Sequence, residues 1–315
     1  MKKLSIIATL LCLIGVVILA VAFTFNGWDF TKLGSGKHET NVHDINEDFY
    51  SITIKTDTAD IDFLPSEDEK CKVICYEEKN MKHSVSVNDG TLTISVVDTR
   101  KWYEYISWFS SPKLTVYLPE SEYSSLIIEE DTGDIKIPSG FRFENVDISL
   151  STGDVWCSAS VSGNTKIASS TGDIVINDTT LGSLQLSVST GDIFIFDATC
   201  GDIKIDVSTG ETELMNVTCK NLTTMGSTGD IELTKVVASG SFSIKRSTGD
   251  VEFSASDAAE ILIETSTGDV EGSLLSEKIF AVETDTGKKE VPKTTSGGIC
   301  EITTDTGDVK IYIKK

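Results

Sequence analysis

Residues 184–195 read Leu-Gln-Leu-Ser-Val-Ser-Thr-Gly-Asp-Ile-Phe-Ile: a Thr-Gly-Asp corner with an alternating apolar run on each side. Ten Thr-Gly pairs recur every 19 or 20 residues, with glycines at 133, 153, 172, 191, 210, 229, 249, 268, 287 and 307. Asp follows eight of them, and Glu211 and Lys288 are the exceptions. Self-similarity at a fixed short period is the mark of a stacked repeat protein. Counted from each glycine, positions -7 and -5 are apolar (Leu184 and Leu186, Ile203 and Ile205), as are +2 and +4 (Ile193 and Ile195, Ile231 and Leu233). Period-two alternation on both sides predicts two short strands per repeat, each burying one face, and the excess of β-branched residues favours strands over helices. A looser apolar position at +8 or +9 (Val161, Leu181, Cys200, Cys219, Val237) predicts a third side.

One repeat cannot bury its apolar face alone. Stacked in parallel at about 4.8 Å, like residues lie over one another and close a continuous core. The fold expected is an all-β parallel β-helix, or β-solenoid, of about ten rungs, right-handed by the crossover rule, preceded by one N-terminal transmembrane helix. Residues Phe49 to Glu120 alternate without a clear repeat; Asn88-Asp89-Gly90 reads as a hairpin turn and Thr58-Ala59-Asp60 as a degenerate corner. This segment is expected to start and cap the coil. The organisation expected is a cytoplasmic 1–3, a membrane helix at 4–25, a linker at 26–48, an N-terminal β segment at 49–125 and the repeats at 126–315.

Leu4 to Phe25 carries no charge and is long enough to span a bilayer, and Lys2 and Lys3 before it favour a cytoplasmic N-terminus with the repeats outside. Cleavage after Ala20-Val21-Ala22 is the alternative, and would make the protein secreted. The net charge of -22 disfavours nucleic acid and anionic lipid as partners of the repeats. The partners expected are the membrane, through Leu4 to Phe25, and a surface protein or glycan. Cys200 and Cys219 share one offset in successive repeats and should stack, as a disulfide or as buried free thiols. Cys71 and Cys75 should share one strand face.

Leu114 to Glu120 (LTVYLPE), Leu126-Ile127-Ile128 and the Ser/Asp-Thr-Gly-Asp corners resemble a bacterial adhesin-like family of β-strand repeats, a domain of unknown function. The resemblance runs from about Phe49 to the C-terminus. It implies a β-solenoid at the cell envelope and supplies no catalytic or binding residues.

The corner has a structural account: Gly permits positive φ, while Thr and Asp bond nearby turn amides. The alternative is a cation ladder, with Asp173, Asp192, Asp230 and Asp250 as weak metal candidates. Trp102, Tyr103, Tyr105, Trp108 and Phe109 form the densest aromatic cluster. It is either a plug over the open end of the coil or a partner-binding patch. No catalytic residue and no cofactor stand out: His38, His43 and His83 all precede the repeats, and no base is evident beside Cys71, Cys75 or Cys157. The reading is a non-catalytic binding or scaffold module presenting Ser/Thr/Asp-rich faces. Envelope sensing with a small membrane partner is the first alternative, and a carbohydrate-active β-helix enzyme the second.

Overall fold

The computed structural model describes residues 38–100 and 112–314, together with Gly15. Strands account for 76% of the structure, which is a β-solenoid of about nine turns. Leu4 to Phe25, apart from Gly15, and Trp102 to Phe109 lie outside the described residues. Among the described residues no helix is long and apolar enough to cross a membrane, so the transmembrane helix is not supported by them.

Two long parallel columns build the coil, one on each side of the corner. In the first, like residues of successive repeats are paired, Leu184 with Ile203 and Ile203 with Leu222. In the second, Ile174 pairs with Ile193 and Ile193 with Thr212. Positions -5 and +2 face inward along the regular coil, and Ile148, Ile205, Ile193 and Val251 have no exposed surface. The third side is short and stacks Leu181 on Cys200 and Cys219 on Ala238. Thr199 pairs with Thr218, which brings Cys200 beside Cys219, and all six described cysteines are buried and free. The expectation of Val237 on this side is corrected: Val237 is exposed and the next residue, Ala238, turns inward.

Nine of the ten corner glycines are required twice over, by a positive φ and by a close approach of backbone; Gly287 is required by the close approach alone. Gly191 has φ 141°, and a Cβ there would lie 2.2 Å from the carbonyl oxygen of Gly172 in the rung below. A second corner follows six residues later, where Asp178, Asp197, Asn216, Lys235 and Ala255 take φ between 49° and 55°. Asp and Asn tolerate this left-handed conformation better than most side chains.

The ends depart from chain order. At the start lie β1 (His38–Ile45), β2 (Ser51–Thr58), β3 (Asp60–Pro65), β4 (Cys71–Glu78), β5 (Met81–Asn88), β6 (Thr91–Asp98), β7 (Lys113–Leu118), β8 (Glu122–Thr132) and β9 (Ile135–Ile137). The degenerate corner is real: β2 and β3 form a rung, and the Ala59 amide donates to the Thr132 carbonyl. β2 lies between β6 and β8, so the rung of β6 and β7 stacks outside an earlier one. Beyond it the pairing turns antiparallel, β5 on β6 and β4 on β7, with β1 outside β4. Asp89 and Gly90, at φ 48° and 72°, close the β5–β6 hairpin as the sequence predicts. At the far end, strand Gly298–Thr306 lies between Val251–Thr267 and Lys278–Thr286. The Gly287 rung is therefore outermost, although Gly307 follows it in sequence.

Candidate functional site

The carboxylates after the corner glycines form one line, joined by a bond that is not local to any turn. The amide of Asp154 donates to Asp134 Oδ1, Asp173 to Asp154, Asp192 to Asp173 and Glu211 to Asp192, at 2.7–3.1 Å. The series resumes with Asp250 on Asp230, Asp269 on Asp250 and Asp308 on Asp269. Amides do offset the carboxylate repulsion, but they come from the next rung rather than from the residue's own turn. Each N–H puts partial positive charge between neighbouring acids. Burial and the charges of Asp192, Glu213, Asp230 and Glu232 push the Glu211 carboxyl up. Lys288, which breaks the Asp pattern in sequence, does not interrupt the line in space; it ends it, because the Gly287 rung is the outermost described one. Of the four cation candidates, Asp173, Asp192 and Asp250 each spend one oxygen on a neighbour's amide, as does Asp230.

The aromatic cluster lies outside the described residues. Its flanks, Arg100 and Pro112, stand where the last parallel rung at the N-terminal end turns from β6 into β7, and the Pro112 carbonyl accepts from the Asp60 amide.

A second constellation was not anticipated from sequence. β4 continues one column and β5 the other, so their inward side chains meet inside the end of the coil. Cys75 and Glu77, two apart on one face of β4, and His83 on β5 have ligand-type atoms within 4.8 Å of one another. All three are buried, Cys75 and Glu77 completely. His83 Nδ1 lies 2.8 Å from Glu77 Oε2, and His83 Nε2 lies 3.0 Å from Thr56 Oγ1. Asn41 donates to Glu77 Oε1 at 2.6 Å. Burial, with the Glu77 charge, pushes the Cys75 thiol up to about 12. A base does stand beside Cys75, yet a thiol held neutral and sealed from solvent is poorly suited to nucleophilic attack.

Thr56 also borders a cleft of about 440 Å³, with Lys55, Ser95, Glu129, Glu130 and Ser149. Glu130 pairs with Thr56 across β2 and β8 and points into the core line. Its Oε1 accepts from the Ala59 amide at 2.9 Å, while Oε2 is buried without a partner. Burial pushes its carboxyl up to about 8, against the amide bond and with the charges of Asp60, Asp134 and Asp131.

Further along the same core line, Arg246 is buried. Its Nη1 donates to the Val207 carbonyl at 3.0 Å and its Nη2 to Thr212 Oγ1 at 2.8 Å, crossing over Gly226. Desolvation lowers its proton affinity, and Asp206 and Asp230 oppose that.

Fold and stacking define a parallel β-solenoid with corner ladders. The chain belongs to the Toastrack DUF4097 family, a domain of unknown function, whose model matches residues 49–216 and 197–315. No curated protein matches the chain. Among solved structures it is similar to two putative adhesins. One, from Parabacteroides distasonis, has 12% identity and a TM-score of 0.51 over 89% of this chain and 98% of that one. The other, from Bacteroides fragilis, has 17% identity and a TM-score of 0.43 over 89% and 99%. A protein named as lipid-binding, also from Parabacteroides distasonis, has 18% identity and a TM-score of 0.48 over 88% and 98%. At these identities the likeness concerns the fold.

Proposed function

We propose that the protein is a non-catalytic binding and scaffold module of the cell envelope, held to the membrane by Leu4 to Phe25 with its solenoid outside. The observation that carries this reading is the corner edge. Ser170, Ser189, Ser208 and Ser227, with Thr171, Thr190, Thr209 and Thr228 beside them, are exposed in adjacent rungs along a straight, rigid line. Such a surface repeats one short-range chemistry at about 4.8 Å and suits an extended partner, a surface protein or a glycan. Among the described residues, the cluster that brings catalytic residue types together, around His83, is buried and closed to a substrate. The aromatic cluster from Trp102 to Phe109 is the candidate partner patch. The Asp line attracts cations weakly, in a salt-screened manner. We take the coil as right-handed on the crossover rule.

The test uses the full chain in intact cells. Protease shaving, membrane fractionation and N-terminal mass spectrometry follow its location, and glycan and protein arrays follow its binding. An intact N-terminus in the membrane fraction, loss of the repeats on shaving, and array binding weakened by Ser189→Lys and Ser208→Lys together are expected. A mature N-terminus near Phe23 would remove the anchor, and turnover of a polysaccharide would remove the non-catalytic reading.

A further inference from the structure

The Thr-Gly corners leave the N-terminal cap unexplained. It is the one described place where a thiol, an imidazole and a carboxylate converge. Cys75, Glu77 and His83 offer one sulfur, one nitrogen and one oxygen atom, mutually within 4.8 Å, from two strands that belong to opposite columns. Bonds of about 2.0–2.3 Å place neighbouring ligand atoms less than 4 Å apart, so a set already within 4.8 Å holds one ion after the side chains close in by up to about 1 Å. The surroundings match as well. A metal-bound imidazole is oriented by a partner on its other nitrogen, and a bound carboxylate by a donor on its free oxygen. Here Thr56 Oγ1 lies 3.0 Å from His83 Nε2, and Asn41 donates to Glu77 Oε1 at 2.6 Å. Both contacts engage the atoms a metal would leave free: Nδ1 of His83 and Oε2 of Glu77 face each other and, with Cys75, make the inner set, in which Oε2 also accepts from the His83 backbone amide at 2.6 Å and would offer the metal its remaining lone pair.

We propose that Cys75, Glu77 and His83 form a structural binding site for a late first-row divalent cation, Zn²⁺ by preference, which staples the two columns together at the N-terminal end of the coil. The thiolate and imidazole select against Ca²⁺ and Mg²⁺, which take oxygen ligands. Loading would displace the Cys75 thiol proton to solvent and move the imidazole proton to Nε2, where Thr56 Oγ1 accepts it. The redox state of sulfur does not change, and a water molecule would complete a tetrahedral set. Because the three ligands are buried, the ion would enter as the cap folds rather than through an open channel.

The experiment titrates the full chain, stripped with a chelator and kept reduced, with Co²⁺ as a coloured stand-in and then with Zn²⁺. A thiolate-to-cobalt charge-transfer band saturating at one equivalent is expected, bleached by Zn²⁺, with a rise in melting temperature. Cys75→Ser should abolish that band. Cys71→Ser, on the same strand face, should keep it. Asn41→Ala and Thr56→Val should weaken binding about 10- to 100-fold without moving the band. A wild-type chain showing no saturable band would overturn the proposal without any variant. A band that survives Cys75→Ser would also overturn it, by assigning the metal to another thiol.

Discussion

The backbone amide of Lys288 donates to the carboxylate of Asp308 at 2.8 Å, although Asp308 comes twenty residues later in the chain. Lys288 is thus the last member of the corner line, with no further rung above it among the described residues to supply an amide. A carboxylate there would have nothing to accept from, and a lysine on an open sheet edge discourages pairing with another chain. Within the line the acceptor matters more than the charge. Asp192→Ala is expected to lower stability by about 1 kcal/mol, because it strands the Glu211 amide. Asp192→Asn keeps an acceptor and should cost less. Lys288→Asp should gain nothing. Urea denaturation of the three variants checks the order; equal losses for Ala and Asn would mean that charge, not hydrogen bonding, is what the position supplies.

Ile193 is fully buried between Ile174 and Thr212. Ile193→Asp brings an unpaired charge into the core and should cost several kcal/mol, on the order of 4 or more. Each rung is supported by its neighbours, so the loss should spread over adjacent turns. Hydrogen exchange would reveal this as lost protection on both sides of Gly191. Parental protection would contradict the inward register.

Glu130 makes stability depend on pH. Its carboxyl in the folded chain titrates at about 8, above the roughly 4.3 of an unfolded glutamate. Between those values the native state holds a proton that the unfolded state releases. The contribution is therefore fully present below about pH 4.3, declines as pH rises, and is lost once pH passes 8. With about 1.4 kcal/mol per tenfold change in proton binding, the loss is on the order of a few kcal/mol. Glu130→Gln keeps an acceptor for the Ala59 amide and removes the titration. Melting temperatures at about pH 5 and pH 9 should fall more for the parent than for the variant; parallel shifts would contradict the assignment.

Arg246 and Thr212 should be coupled. Thr212→Val leaves a guanidinium nitrogen without its acceptor and is expected to cost about 1–3 kcal/mol. Arg246→Met removes the charge and the need for that acceptor. The double variant should lose less than the two single losses combined, by about 0.5–3 kcal/mol. Simple additivity in a denaturation cycle would show that the 2.8 Å contact contributes nothing of its own.

The regular coil is legible in the sequence because a period-two pattern fixes which face of a strand is buried, and the Thr-Gly pair fixes where the chain bends. What the pattern does not encode is which rung stacks on which. The Gly287 and Gly307 repeats share apolar residues at -7, -5 and +4, and only Lys288 in place of Asp and Lys289 at the otherwise inward +2 position hint that one of them has no outer neighbour. The cap cluster was hidden for the same reason. Cys75, Glu77 and His83 look like ordinary alternating positions until β4 and β5 join different columns. Arg246 was legible only as a rare arginine; its partner Thr212 stands at a +2 position that holds Ile or Val in every other repeat except that of Gly287, where it is Lys289, and this polar break was the available signal.

The exchange of rung order at both ends separates the end of the polypeptide from the end of the rod. Trimming residues 298–314 would not shorten the particle by one layer; it would extract a layer from between two others and leave the Gly287 turn without a floor. Copy number can therefore be changed by adding or deleting whole units between Arg142 and Ala258, where each layer meets its sequence neighbours on both sides, while both extremities behave as fixed terminators. A designer wanting a longer or shorter version of this protein should cut and splice in the middle.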